Sequence, residues 1–64
     1  KQLFIELNEE EKIIFNHLKN ISQDNLDNIS LSTKFSISKA ATLLMQLEMK
    51  GCIRPLPGKH FEWI

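Results

Sequence analysis

Three groups of residues in this 64-residue chain carry side chains able to do chemistry. His17, Cys52 and His60 are the candidates for a nucleophile or a metal ligand. Their separations fit no standard metal spacing, and no serine stands in a strand-to-helix elbow, so neither catalysis, a metal nor a cofactor is expected of this chain. His17, between Ile14 and Leu18, reads as a residue at the core border or on the surface. Cys52, behind Gly51, reads as a small half-buried apolar residue. The second group is Ser38, Lys39, Thr42 and Gln46. Short hydroxyls and one lysine near a helix N-terminus can meet phosphates, and a glutamine one turn further can reach a base edge. An ordinary solvated helix face would look the same. The third group is Arg54, Lys59 and His60 around Pro57-Gly58. Cations at a ribbon tip can hold backbone phosphates or enter a minor groove, and they are equally the charges that keep an edge strand soluble. Lys39, Arg54 and Lys59 offer about three phosphate contacts, each contributing about 0.9 to the log-log salt slope, which suits weak, non-specific binding.

Elements that position these groups can be read from periodicity and punctuation. Asn8 can cap a helix whose third residue, Glu11, can reach back, and Glu9, Glu10 and Glu11 suit the positive end of the helix dipole. Ile14, Leu18 and Ile21 follow as an i, i+4, i+7 stripe with Phe15 beside it, which places helix 1 over residues 9–20. Ser22 to Asn25 is polar punctuation. Asp27 looks like the cap of a short helix over 28–34, buried through Ile29 with Leu31 and Phe35; its serine- and asparagine-rich composition leaves packing to hold it. Ser36 caps a third helix over 37–50, with Ala40, Leu43, Leu44 and Leu47 inward, and Gly51 suits the left-handed position that follows. The short link from Lys34 to Ser36 makes helices 2 and 3 a helix-turn-helix.

Beyond Gly51 the period changes to two. Ile53 points inward and Arg54 outward, Pro57-Gly58 marks a tight turn, and Phe61 and Trp63 share one face with His60 and Glu62 on the other. Phe61 and Trp63 most simply cover a small core. Pro55 cannot donate to a ladder, so its strand belongs at an edge or the ladder is short. Leu26 can add a minimal third strand. The fold class is therefore α+β, mainly α: a winged helix-turn-helix of three helices followed by a two-stranded β-hairpin wing. The buried set is expected to be Ile14, Leu18, Ile29, Ala40, Leu43, Leu44, Leu47 and Ile53.

Composition bounds the partners. A hydrophobic fraction of 42% is that of a folded domain, and formal net charge is zero, so the whole-chain field favours neither nucleic acid nor membrane. The halves differ: residues 1–32 hold three lysines against six acids, and residues 33–64 hold four lysines and Arg54 against Glu48 and Glu62. The basic half contains the third helix and the hairpin, which is where a working side is expected. One cysteine cannot form an intramolecular disulfide, which suits a reducing cytoplasm. No apolar run approaches a membrane span. The chain begins at Lys1 without an initiator methionine, so residues 1–6 are expected to be a lead-in or linker and 7–64 a winged-helix domain at the C-terminal end of a longer protein.

"DNISLSTKFSISKAATLLMQLEMKGCIRPLPGKHFE" resembles the C-terminal winged-helix domain of the bacterial DNA-processing protein A (DprA/Smf) family. The resemblance lies in Leu44-x-x-Leu47-Glu48-Met49-Lys50-Gly51, in Ile53-Arg54-x-x-Pro57-Gly58 and in the aromatic Phe61, and "LNEEEKIIFNHL" is similar to the family's usual helix 1 opening. It covers roughly residues 7–63. The family usually has glycine where Lys34 stands, which implies that the turn between helices 2 and 3 either differs or strains a non-glycine residue. The resemblance implies a role in natural transformation, where family members bind incoming single-stranded DNA and help load the strand-exchange recombinase. In that family the main single-strand site lies on a Rossmann-like domain, and the winged helix is an accessory module for duplex binding, dimerisation or partner contact.

The leading expectation is an accessory DNA-binding domain that contacts DNA weakly through Ser38, Lys39, Thr42, Gln46, Arg54, Lys59 and His60. The alternative is a protein-interaction module that docks on its own Rossmann-like domain, a second copy or the recombinase; balanced net charge favours it, since strong nucleic-acid binders are usually basic. A transcription regulator's DNA-reading half is the third reading, and the Leu-Glu-Met-Lys-Gly and Pro-Gly pieces argue against it.

Overall fold

Asn8 starts the first helix by a reciprocal pair of hydrogen bonds. Its side chain accepts from the Glu11 amide at 2.7 Å, and the Glu11 carboxylate accepts from the Asn8 amide at 3.0 Å. The structure, a computed structural model, describes residues 6–64. Most of the lead-in expected over residues 1–6 therefore lies outside the described residues. Helix α1 spans Glu9–Ile21, β1 Gln23–Asn25, α2 Leu26–Thr33, α3 Ile37–Met49, β2 Ile53–Leu56 and β3 His60–Trp63. The three strands form one antiparallel sheet in the order β1-β3-β2.

The eight expected core residues are the eight buried apolar residues among those described. They form one cluster, with Leu7, Phe15, Leu26, Phe35, Cys52 and Phe61 packed against it. Ile21 departs from the expected stripe and is 46% exposed, because the helix ends there and Ser22, at φ 75°, turns the chain into β1. Leu31 does not serve α2 as an inward residue and is 77% exposed; Ile29 supplies the buried contact.

Two boundaries differ from the sequence reading for one reason. The polar stretch after α1 is a strand, with Gln23 opposite Glu62, Asp24 opposite Phe61 and Asn25 opposite His60. The third strand thus ends before Leu26, and the wing is part of a three-stranded sheet rather than a two-stranded hairpin alone. Asn25, not Asp27, then caps α2 by accepting from the Asn28 amide at 2.7 Å, so the helix begins at Leu26. Pairing with β3 supplies the backbone partners that these residues cannot find locally.

Between α2 and α3, Lys34 adopts the left-handed conformation at φ 66°, ψ 19°. A lysine therefore holds a conformation that favours glycine and bears strain on the order of 1 kcal/mol. Gly51 takes the expected positive φ of 79° after α3. Pro55 lies on β2, an edge strand, where its missing amide costs no ladder bond.

Two buried acids tie the helices together. Glu11, 1% exposed, accepts from Lys50 Nζ at 2.6 Å, joining the start of α1 to the end of α3. The Lys50 hydrogen bond above all, with the Asn8 amide and the Lys50 charge, outweighs burial and holds the Glu11 carboxyl below its ordinary range. Asp24 is pushed up by burial, but hydrogen bonds from His17, Asn28 and the Asn25 amide outweigh that and leave it lowered. Both groups have folded pKa values below their unfolded ones. Their contribution is therefore complete above the ordinary values of 4.5 and 3.8 and is lost as pH falls through the lower folded values. Thermal melts are expected to shift downward over roughly pH 5 to pH 1, and Glu11→Gln and Asp24→Asn should each flatten that dependence. An unchanged acid limb in both variants would contradict these assignments.

Candidate nucleic-acid interface

Helix α3 owes its start to Ser36, whose hydroxyl accepts from the Lys39 amide at 3.1 Å. With Ala40, Leu43, Leu44 and Leu47 committed to the core, the helical period turns Ser38, Lys39, Thr42 and Gln46 outward, and all four are exposed. The structure brings these four together. They line an open groove of about 460 Å³ between α3 and the start of α1, where Asn8 and Glu10 form the opposite wall. Two of the four are already engaged. Thr42 donates its hydroxyl hydrogen to the Ser38 carbonyl at 3.0 Å, so it can accept from a ligand but must break that bond to donate to a phosphate. Lys39 Nζ lies 2.8 Å from Glu10 Oε2.

The hairpin places the other three residues differently. Arg54 stands opposite Glu62 in the β2–β3 ladder, and its Nε donates to Glu62 Oε1 at 2.9 Å. Lys59 occupies the turn with φ 62°, and its carbonyl accepts from the Leu26 amide at 2.9 Å, which fastens the tip to the start of α2. Among the described residues the Lys59 ammonium makes no ion pair. His60 Nδ1 lies 3.0 Å from the Gly58 carbonyl. That nitrogen must carry the proton, so a neutral His60 offers Nε2 only as an acceptor. Lys59 and His60 line a second open groove of about 440 Å³ with Asn25, Asp27, Asn28 and Leu31. The two grooves share no lining residue, and Arg54 lines neither. The seven residues grouped by sequence therefore occupy two concavities and one strand edge.

The residues that sequence reasoning missed are the acids facing these cations. Glu10 serves the α1 dipole, as its position in the first turn indicates, and also reaches Lys39 on another helix. The period of two puts Glu62 and Arg54 on the same face, but their pairing depends on the loop length. The turn is the three residues Pro57-Gly58-Lys59, whereas a two-residue Pro-Gly turn would have set Glu62 opposite Ile53.

His17 and Cys52 have structural surroundings. His17 Nε2 meets Asp24 Oδ2 at 2.7 Å, pinning α1 to β1, and Asn28 of α2 donates to the same oxygen at 2.7 Å. Burial pushes the Cys52 thiol up, with Lys50 lowering it and Glu11 raising it to lesser extents, which keeps it a poor nucleophile. Among the described residues no cluster of three or more His, Cys, Asp or Glu could hold a metal ion, and no helix is long and apolar enough to cross a membrane.

A three-helix unit whose second and third helices form a helix-turn-helix, followed by a hairpin on a three-stranded sheet, is the winged-helix arrangement. A family model described as the DprA winged helix domain matches residues 5–59. No curated protein and no solved structure matches the chain.

Proposed function

Since the chain belongs to the DprA winged helix domain family, we propose that it is an accessory DNA-binding domain of a DNA-processing protein acting in natural transformation and recombination. The observation that carries this reading is the convergence of Ser38, Lys39, Thr42 and Gln46 on one groove along α3. A hydroxyl, a lysine and a glutamine on the exposed side of the second helix of a helix-turn-helix can meet phosphates and a base edge. Lys59, which makes no ion pair among the described residues, adds a phosphate contact at the wing tip that carries no sequence information. The role is binding, without a chemical step. The single free cysteine suits a reducing cytoplasm as the place of action.

Salt-dependent titration with single- and double-stranded DNA tests the reading. Lys59→Ala should weaken duplex binding equally for all sequences and lower the log-log salt slope by about 0.9. Adding Arg54→Ala should bring the total loss to at most about 1.8, and less where Glu62 keeps Arg54 from the phosphate. Glutamate at both positions should abolish binding. Both side chains are exposed, so the fold should persist, with a loss of up to about 1 kcal/mol where Arg54→Glu sets a second carboxylate opposite Glu62.

One observation favours a second reading. Ile37, Met45 and Met49 are exposed on α3, Met49 at 81%, and flexible methionine surfaces suit protein contacts. A chain that binds neither DNA form at low salt would be a docking module, for its own Rossmann-like domain, a second copy or the recombinase.

A further inference from the structure

We propose that Glu10 and Glu62 are built-in counter-ions that compete with DNA phosphates for Lys39 and Arg54, and so set how many phosphates the domain neutralises. The proposal rests on the DNA-binding reading above. It stands on two contacts of the same kind at two separate places: Lys39 Nζ to Glu10 Oε2 at 2.8 Å, and Arg54 Nε to Glu62 Oε1 at 2.9 Å. Each acid reaches its cation from a different element. Glu10 comes from the first turn of α1 across the α3 groove, and Glu62 stands directly opposite Arg54 in the ladder, so strand register imposes the pair.

Exposure separates these pairs from the domain's structural one. Glu11, bound to Lys50, is 1% exposed, whereas the Glu10 and Glu62 side chains are 44% and 30% exposed. An exposed ion pair is weak enough for a phosphate to displace its acid, while a buried one is not. Glu10 and Glu62 can therefore yield their cations without unfolding the domain. At rest Lys39 and Arg54 are neutralised locally, and Lys59 is the one of the three without an ion pair among the described residues. The resulting interface engages DNA through one cation first and recruits the other two only where phosphate outcompetes carboxylate.

The test is a set of anisotropy titrations of the whole chain against one duplex oligonucleotide over a range of salt. Glu9→Gln serves as the control, since it removes the same charge from the same helix turn but makes no ion pair among the described residues. Glu10→Gln and Glu62→Gln should each tighten binding by roughly two- to fivefold at low salt. Each should also steepen the salt slope by up to about 0.9. Lys39→Ala combined with Glu10→Gln should erase the gain from Glu10, and melting temperatures should stay with the parent. If the parent binds and the two variants only match Glu9→Gln, the counter-ion role is overturned and the DNA reading stands. If neither the parent nor the Glu10→Gln and Glu62→Gln variants bind, the DNA reading fails and the counter-ions with it. Binding by the variants alone would support both.

Discussion

Leu44→Ala is expected to leave this domain without a cooperative melting transition near room temperature. Leu44 is fully buried, as is Leu47 three residues on, and both lie in the single apolar cluster between the helices and the sheet. Truncating a buried leucine costs about 2–5 kcal/mol, the transfer of its methyls plus the cavity they leave. A 64-residue chain has roughly 3–10 kcal/mol of total stability. The loss therefore approaches the whole. In a chain this short each kcal/mol moves the melting temperature by roughly 4–8 °C. Met45→Ala, on the same helix but 60% exposed, should stay within about 0.5 kcal/mol of the parent. Urea or thermal unfolding of the parent and the two variants decides the matter. Leu44→Ala melting within a degree or two of the parent would show that the α3 core face is misassigned.

That core was legible in the sequence because its signals are local. Asn8 and Ser36 announce their helices within three residues, the apolar spacing of α3 singles out four inward positions, and Gly51 ends the helix where its positive φ is needed. Strand β1 was not legible. Gln23, Asp24 and Asn25 have poor strand propensity, and their order comes from pairing with residues 60–62. The start of α2 was missed for the same reason, since Asn25 becomes a cap only once β1 has fixed it.

The candidate site divides along the same line. Helical period alone turned Ser38, Lys39, Thr42 and Gln46 to one side. What each can offer a ligand depends on contacts between elements: Glu10 on Lys39, Glu62 on Arg54, and the Leu26 amide on the Lys59 carbonyl. Composition gave the basic half a surplus of positive charge, and tertiary structure places an acid against two of the three cations expected to use it.

The second large effect should come from a charged residue. Lys50→Ala is expected to cost about 3 kcal/mol, the lower end of what breaking a buried ion pair costs, because Lys50 itself is partly exposed. Its ammonium donates to Glu11 Oε1 at 2.6 Å and to the Glu6 carbonyl at 2.9 Å, closing the end of α3 onto the start of α1. Without it the Glu11 carboxylate, on a residue 1% exposed, keeps the Asn8 amide as its one remaining donor among the described residues. Glu11→Gln should cost less, since an amide oxygen can still accept from Asn8 and the freed ammonium can reach water. The asymmetry identifies which charge is trapped. It also fixes the sign of a pH effect. In the Lys50→Ala variant the main cause that lowers Glu11 is gone, so its folded pKa should rise towards the unfolded value. The parent loses its Glu11 contribution as pH falls through the lowered folded pKa, the variant has little of it to lose, and its deficit against the parent should therefore narrow on acidification. Chemical denaturation of parent and variant at neutral and mildly acidic pH measures both quantities. A Lys50→Ala variant within about 0.5 kcal/mol of the parent at neutral pH, the range of an ordinary surface substitution, would show that Glu11 is not held by Lys50.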